Sequence, residues 1–173
     1  ITNDFMDNLL LILNNYQNTH KRNIICSCVH ILANIIAFDN TGYIAMDLVL
    51  NQGLFKMLKI TLERNEFVIE NARRGRRNQQ RRKVIAGEIG AIKDVLNIIS
   101  NILSDNERVI DYIQIMIDEG LMHSIIHLLL NIDDKQYGVD VAIECLWCIR
   151  NCIYGIKLDE VQPMILEGSL NAI

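Results

Sequence analysis

Proline and glycine are scarce in this sequence: Pro163 is the single proline among 173 residues, and there are nine glycines. So few backbone breakers favour long helices over many short strands. No apolar run reaches the roughly 18 residues that a membrane span needs. Ile1 opens the sequence without Met or a signal-peptide pattern. We therefore expect an all-α piece of a longer protein with no membrane partner.

Cysteine is present in an odd number, at Cys26, Cys28, Cys145, Cys148 and Cys152. Because these residues cluster on two predicted helices, they argue against a disulfide framework and for a reducing compartment, the cytoplasm or the nucleus. The last three share one helix face with no His nearby, whereas a zinc site needs four converging ligands. We expect all five to be small buried core residues, with no metal and no other cofactor.

Signatures of catalysis are lacking as well. His123 and His127 lie four residues apart on one predicted helix, but no Glu or Asp completes a zincin-like motif. The sequence has no glycine-rich phosphate loop, no nucleophile elbow and no pair of catalytic carboxylates. We expect a protein that is not an enzyme.

Charge is unevenly distributed along the chain. The net charge is −4, but residues 67–83 hold seven basic residues and one acidic residue, so that segment carries +6 and the remainder −10. An acidic body with one basic patch is typical of a protein whose body attracts basic partners.

What the sequence does contain is an internal repeat marked by two features. Apolar helices end in Asn at HILANII (30–36), NIISNIL (97–103) and WCIRNCI (147–153). A Gly precedes an apolar helix at NQGLFKMLKITL (51–62), DEGLMHSIIHLLL (118–130) and LEGSLNAI (166–173). Self-similarity of this kind indicates a solenoid or another repeat architecture.

The distances between the marks agree once a single insertion is allowed. Gly53 lies 48 residues before Asn101, whereas Gly120 lies 31 residues before Asn151. The charged segment 66–83 has no helical apolar periodicity, and we interpret it as an insertion. Removing 17 residues there makes the interval from Asn34 to Asn101 50 residues, equal to the interval from Asn101 to Asn151. The same removal makes the interval from Gly53 to Asn101 equal to that from Gly120 to Asn151, so one insertion accounts for two differences.

Periodicity and breakers predict the helices. They cover 4–16, 20–38, 42–52, 54–65, 85–104, 107–119, 121–132, 138–154 and 159–167, with a last helix from Ser169. Each unit has a short first helix, a Gly corner that favours positive φ, a second helix, and a longer third helix ending at the marked Asn. One stretch, 1–173, then holds a partial repeat 1–38, a repeat 42–104 with the insertion 66–83, a repeat 107–155 and a partial repeat 159–173.

Three helices per unit, Gly at the first corner and Asn at the end of the third helix resemble the armadillo repeat, over nearly the whole chain except the insertion. The segment ECLWCIRNCIYG (144–155) resembles the third-helix signature of importin-α, in which Trp-x-x-x-Asn recurs. His30 and Asn97 occupy the Trp position in the other two units. The resemblance implies a right-handed α-solenoid and an adaptor that binds basic extended peptides in nuclear protein import.

One face of each third helix carries polar residues at 11, 7, 4 and 0 positions before the marked Asn. We name these residues the polar stripe: Asn23, Ser27, His30, Asn34; Gly90, Asp94, Asn97, Asn101; Asp140, Glu144, Trp147 and Asn151. Third helices of a solenoid line a concave surface. There an Asn amide can pair with the N–H and C=O groups of an extended peptide, and a Trp face can pack on Lys or Arg.

The acids of the stripe, Asp94, Asp140 and Glu144, would favour basic side chains in the partner. The resemblance implies peptide-binding roles for the three marked asparagines and for Trp147. One alternative is that the asparagines cap helices or hydrogen-bond between neighbouring repeats. For Trp147 the alternative is core packing.

The basic insertion is the second candidate site, with basic residues Arg73, Arg74, Arg76, Arg77, Arg81, Arg82 and Lys83. It is interpreted as a solvated loop, as a mimic of a nuclear signal that folds back on the acidic groove, or as a contact for RNA or an acidic partner. Because it lacks interleaved aromatic residues, any nucleic-acid contact would be unspecific.

The leading hypothesis is therefore a non-catalytic, importin-α-like adaptor for a basic, extended protein segment. The alternative is a general armadillo scaffold in a larger assembly, such as a cytoskeletal or ciliary complex. Nucleic-acid contact through the insertion is the weaker alternative.

Overall fold

A computed structural model describes residues 3–16, 22–39, 42–74, 79–104, 109–131 and 138–154. Within these ranges the chain is all-α, as predicted, with no strand. The helices are α1 (Asn3–Tyr16), α2 (Arg22–Ala37), α3 (Tyr43–Leu50), α4 (Leu54–Arg74), α5 (Gln79–Ile102), α6 (Val109–Asp118), α7 (Leu121–Asn131) and α8 (Gly138–Tyr154). The helices predicted at 159–167 and from Ser169 lie outside the described residues.

The helices form because their apolar residues recur at helical spacing. In α6, for example, the buried residues are Val109, Tyr112, Ile113 and Met116, at intervals of three, one and three residues. That spacing gathers them on one face, which the neighbouring helices cover. Apart from Ala91, the buried apolar residues of the described ranges join in one core cluster.

The glycine corners have the backbone conformation that the repeat predicts. Gly53 between α3 and α4 has a φ of 65°, and Gly120 between α6 and α7 has a φ of 71°. Positive φ strains residues that carry a Cβ, so glycine is favoured at both corners. The axes of α6 and α7 differ by 76° as a result.

No single helix within the described ranges has both the length and the apolar composition of a membrane span. The bent pair α6–α7 reaches that length and composition only when its two helices are taken together.

The first turn of α3 is held by a carboxylate from the preceding loop. Oδ2 of Asp39 accepts hydrogen bonds from the backbone N–H groups of Ile44, at 2.8 Å, and Ala45, at 3.2 Å. These N–H groups have no partner inside the helix, and a negative charge at this end also suits the helix dipole. Asp39 therefore caps α3.

The insertion is where the predicted helices are wrong. The predicted helices end at 65 and begin again at 85, but α4 continues to Arg74 and α5 already begins at Gln79. The two helices have 21 and 24 residues, against 11 and 17 in their counterparts α7 and α8. Arg, Lys, Gln and Glu are good helix formers, and extending a packed helix avoids the cost of nucleation.

The third helices lie side by side. α5 packs against α2 on one side and against α8 on the other, and α4 packs against α7 in a neighbouring layer. α4 also covers α5, α7 covers α8, and α1 covers α2. The helices that carry the polar stripe are thus adjacent in space as well as equivalent in sequence.

Candidate functional site

The polar stripe lies on the surface of three adjacent helices. All its residues on α2, α5 and α8 are exposed or half-buried, none fully buried. The opposite sides of these helices contribute to the core, for example through Leu32, Ile92 and Cys145. Position in the repeat therefore predicts which side of each third helix faces water.

Two contacts between a basic side chain and a carboxylate join one third helix to the next along the stripe. Nδ1 of His30 on α2 lies 3.1 Å from Oδ2 of Asp94 on α5. Nζ of Lys93 on α5 lies 3.2 Å from Oδ2 of Asp140 on α8. Two of the three carboxylates that were predicted to attract a basic partner, Asp94 and Asp140, thus already have a basic neighbour within the chain.

Asn151 makes a third link between these helices. Its Nδ2 donates to the carbonyl oxygen and to Oγ of Ser100 on α5, each at 3.0 Å. This contact is the one expected if the marked Asn hydrogen-bonds to a neighbouring repeat, which was the alternative to peptide binding.

The other two marked asparagines have different surroundings. Nδ2 of Asn34 donates to the carbonyl oxygen of His30, one turn earlier in the same helix, at 2.8 Å, and the residue is exposed. Asn101 is exposed, and so is Asn97 one turn before it. These three amides face solvent, where an extended peptide could reach them.

Trp147 lies at the surface, with 48% of its area exposed, so core packing is not its role. The guanidinium carbon of Arg150 lies 4.9 Å from the centroid of the Trp147 ring and 5.4 Å from that of Tyr154. A cation over an aromatic face is attracted by the ring quadrupole. The aromatic face that was predicted to receive a Lys or Arg of the ligand already holds an arginine.

Glu144 lies one helical turn before Trp147 in the same stripe and is half-buried. It is near enough to the buried thiols to contribute, after burial itself, to the raised pKa of Cys145. Its carboxylate completes the set of predicted binding residues on α8.

The cysteines of α8 are core residues, as predicted. Cys145, Cys148 and Cys152 are buried, and Sγ of Cys148 donates to the carbonyl oxygen of Leu96 at 3.3 Å. Burial raises the pKa of Cys145 and Cys152 to about 12 and the pKa of Cys148 well above its ordinary value. Thiols held neutral in this way are poor nucleophiles and poor metal ligands.

On α2 the prediction for the cysteines is confirmed for one of the two residues. Cys28 is buried, whereas Cys26 is half-buried. No group of three or more His, Cys, Asp or Glu side chains is placed to hold a metal ion in the described ranges.

The His pair of α7 takes part in a second set of links, which sequence reasoning missed. The rings of His123 and His127 are stacked with centroids 6.5 Å apart, and Nδ1 of His127 lies 3.2 Å from Oε1 of Glu66 on α4. One turn earlier, Oγ of Ser124 donates to Oε1 of Glu63 at 2.8 Å. The sequence does contain a signal for these links, because polar residues recur at helical spacing on α4 and on α7.

The basic residues of the insertion fall mainly on the two lengthened helices. Arg73 and Arg74 end α4, and residues 81–83 lie near the start of α5. Arg76 and Arg77 lie outside the described residues. These residues thus belong to the end of α4 and the beginning of α5, two consecutive helices that pack against each other.

Comparison with models of protein families, with curated proteins and with solved structures gave no significant match.

Proposed function

We propose that this chain is a stretch of an armadillo-type α-solenoid that binds a basic, extended peptide along the polar stripe. The observation that supports this most is that equivalent polar positions stay at the surface on three helices that lie side by side, α2, α5 and α8. Polar residues that recur on one helix face in three units call for a common cause.

The spacing of the helices suits an extended ligand. Packed helices lie about 8–10 Å apart, so three in a row span about 20 Å between their outer axes. An extended peptide rises about 3.3 Å per residue. A segment of about six residues would then cross all three helices and reach the next helix about every third residue.

The contacts divide the stripe into two groups of residues. Asp94, Asp140 and Asn151 hold neighbouring helices together. Exposed amides at Asn34, Asn97 and Asn101 are the better candidates for bonds to a peptide backbone. Each such bond contributes about 0.5–1.5 kcal/mol net, which corresponds to roughly two- to twelvefold in affinity.

The experiment is a titration of this chain with a fluorescein-labelled peptide of eight Lys and Arg residues, followed by anisotropy. We expect Asn97→Ala combined with Asn101→Ala to weaken binding by about tenfold, and Asn34→Ala by a few-fold. Asn131→Ala on α7 is the matched control, because Nδ2 of Asn131 donates to a carbonyl one turn earlier at 2.8 Å, as in Asn34.

Unchanged affinity in all the stripe variants, or equal binding of a peptide of eight Glu residues, would contradict the proposal. Asn151→Ala is unsuitable as a binding test because it also removes the link to Ser100.

A second candidate function is favoured by the links themselves. His30–Asp94, Lys93–Asp140 and Asn151–Ser100 use stripe residues to hold helices together, and Arg150 already covers Trp147. A scaffold in a larger assembly needs rigid spacing between repeats and no basic peptide. If the basic peptide fails to bind while these link residues prove necessary for stability, the scaffold is the better interpretation.

A further inference from the structure

Lys93 on α5 lies against one of the three acids of the polar stripe. Its Nζ is 3.2 Å from Oδ2 of Asp140 on α8. Both side chains remain accessible to water, since 34% of the Lys93 side chain and 59% of the Asp140 side chain are exposed. A basic side chain of a ligand on the stripe therefore meets Asp140 in competition with an ammonium group that the chain itself supplies.

The contact between Lys93 and Asp140 has the same register as a second contact of the stripe. Asp140 lies 11 positions before the marked Asn of its helix, and Lys93 lies 8 positions before that of α5. Asp94 lies 7 positions before its marked Asn and contacts His30, which lies 4 positions before that of α2. In both cases the acid meets a basic residue three positions nearer the marked Asn on the preceding third helix. The packing of the third helices thus brings a basic residue to each of these two acids.

Glu144, the third acid of the stripe, differs from the other two. It lies 7 positions before its marked Asn, as Asp94 does, and the residue that corresponds to His30 on the preceding helix is the uncharged Asn97. Among the described residues no ion pair includes Glu144. The chain therefore supplies a basic residue to two acids of the stripe and leaves the third without one.

We propose that Lys93 is an internal competitor for the basic side chains of the ligand, so that Asp140 does not contribute to their selection while Lys93 is in place. The inference rests on the proposed function, because it concerns the same groove and the same class of ligand. It makes Lys93 a residue that limits how many basic side chains the stripe can recognise.

The competition is nearly balanced because the two pairs are alike. An exposed ion pair shifts an equilibrium by no more than about fivefold, since water and salt screen both charges. A ligand that takes Asp140 must break one such pair to form another, so the exchange changes its affinity little. Once the charge of Lys93 is removed, the ligand pairs with Asp140 without that loss, and its affinity should rise by about two- to fivefold.

The test is a titration with the fluorescein-labelled peptide of eight Lys and Arg residues in about 150 mM salt, which screens distant charges. Lys93→Met keeps the length of the side chain without its charge and should raise affinity by about two- to fivefold. Lys93→Arg keeps the cation and should leave affinity unchanged. Lys56→Met is the matched control, because Lys56 is exposed on α4, outside the stripe, and its replacement changes the net charge by the same amount.

Replacing Asp140 with and without Lys93 gives the sharper result. In the unmodified chain Asp140→Asn should leave affinity unchanged, because its carboxylate is already paired. Combined with Lys93→Met it should remove the whole gain. Glu144→Gln, by contrast, should weaken binding by about two- to fivefold in either background. Circular dichroism and urea unfolding check that each variant is folded.

Several outcomes would overturn the inference while peptide binding itself stands. Unchanged or weaker binding by Lys93→Met would show that Lys93 does not compete, and an equal rise for Lys56→Met would show an effect of net charge alone. A gain that persists when Asp140→Asn is added would show that Lys93 acts without Asp140. Equal losses for Asp140→Asn and Glu144→Gln in the unmodified chain would show that Asp140 is open to the ligand. Absence of binding by the unmodified chain and by every variant would instead refute the proposed function, and the inference with it.

Discussion

The side-chain amide of Asn151 joins α8 to α5 by donating to both the carbonyl oxygen and the hydroxyl of Ser100, each at 3.0 Å. The equivalent asparagines on α2 and α5 are exposed. The marked Asn therefore links two third helices only where the preceding helix has a polar residue beside it, as α5 has at Ser100. Elsewhere its side chain is exposed.

We expect Asn151→Ala to lower the free energy of unfolding by about 1–2 kcal/mol, because it removes two partly buried hydrogen bonds. Asn101→Ala, at the equivalent exposed position on α5, should change the free energy by no more than about 0.5 kcal/mol. Urea unfolding followed by circular dichroism measures both. Equal effects in the two variants would show that the link to Ser100 contributes nothing.

Asp39→Ala should destabilise the protein by about 1 kcal/mol, since two N–H groups in the first turn of α3 lose their acceptor. Asp39→Asn keeps an oxygen acceptor and should retain most of the stability. The comparison is again made by urea unfolding. If the Asn variant is as unstable as the Ala variant, the charge of Asp39 matters and the cap geometry does not.

The buried thiols make stability depend on alkaline pH. Burial raises the pKa of Cys145 and Cys152 from about 9 to about 12, so the unfolded chain loses these protons first. Their contribution is fully present below about pH 9 and is lost as the pH rises towards 12. Each thiol then lowers the free energy of unfolding by up to about 1.4 kcal/mol per pH unit.

Urea unfolding at several values between pH 8 and pH 11 measures this dependence. Other kinds of side chain also titrate at alkaline pH, so the comparison is with a Cys145→Ala, Cys152→Ala variant. Its stability should be lower at pH 8 because of the cavities but should fall less steeply. Parallel curves for the two proteins would contradict the effect.

Trp147 is the single tryptophan of the chain, so its fluorescence reports on one site. Arg150→Ala should increase the rate constant for quenching of this fluorescence by acrylamide, because the guanidinium group no longer covers the ring. Arg150→Met keeps a long side chain without the charge and separates shielding by bulk from the cation–π contact. Unchanged quenching in the Ala variant would show that Arg150 spends little time over the ring.

The helices and the glycine corners could be predicted from the sequence because they depend on local rules. Apolar residues at helical spacing locate α1 to α3 and α6 to α8 to within two residues at each end. Gly53 and Gly120 stand where a positive φ is required. The insertion could not be predicted in the same way, because residues 66–83 have no helical apolar periodicity. The helical backbone at 66–74 and at 79–83 extends helices that are packed elsewhere along their length.

By itself the sequence determined an all-α fold, the two glycine corners and the surface position of the polar stripe, since all three follow from spacing along one chain. Only the tertiary structure decided which of these polar residues already have a hydrogen-bonding or charged partner within the chain. Whether Asp94, Asp140 and Asn151 face solvent or a neighbouring side chain depends on how far adjacent helices are shifted along their axes. That shift is set by the packing of apolar side chains between helices, and no single helix encodes it.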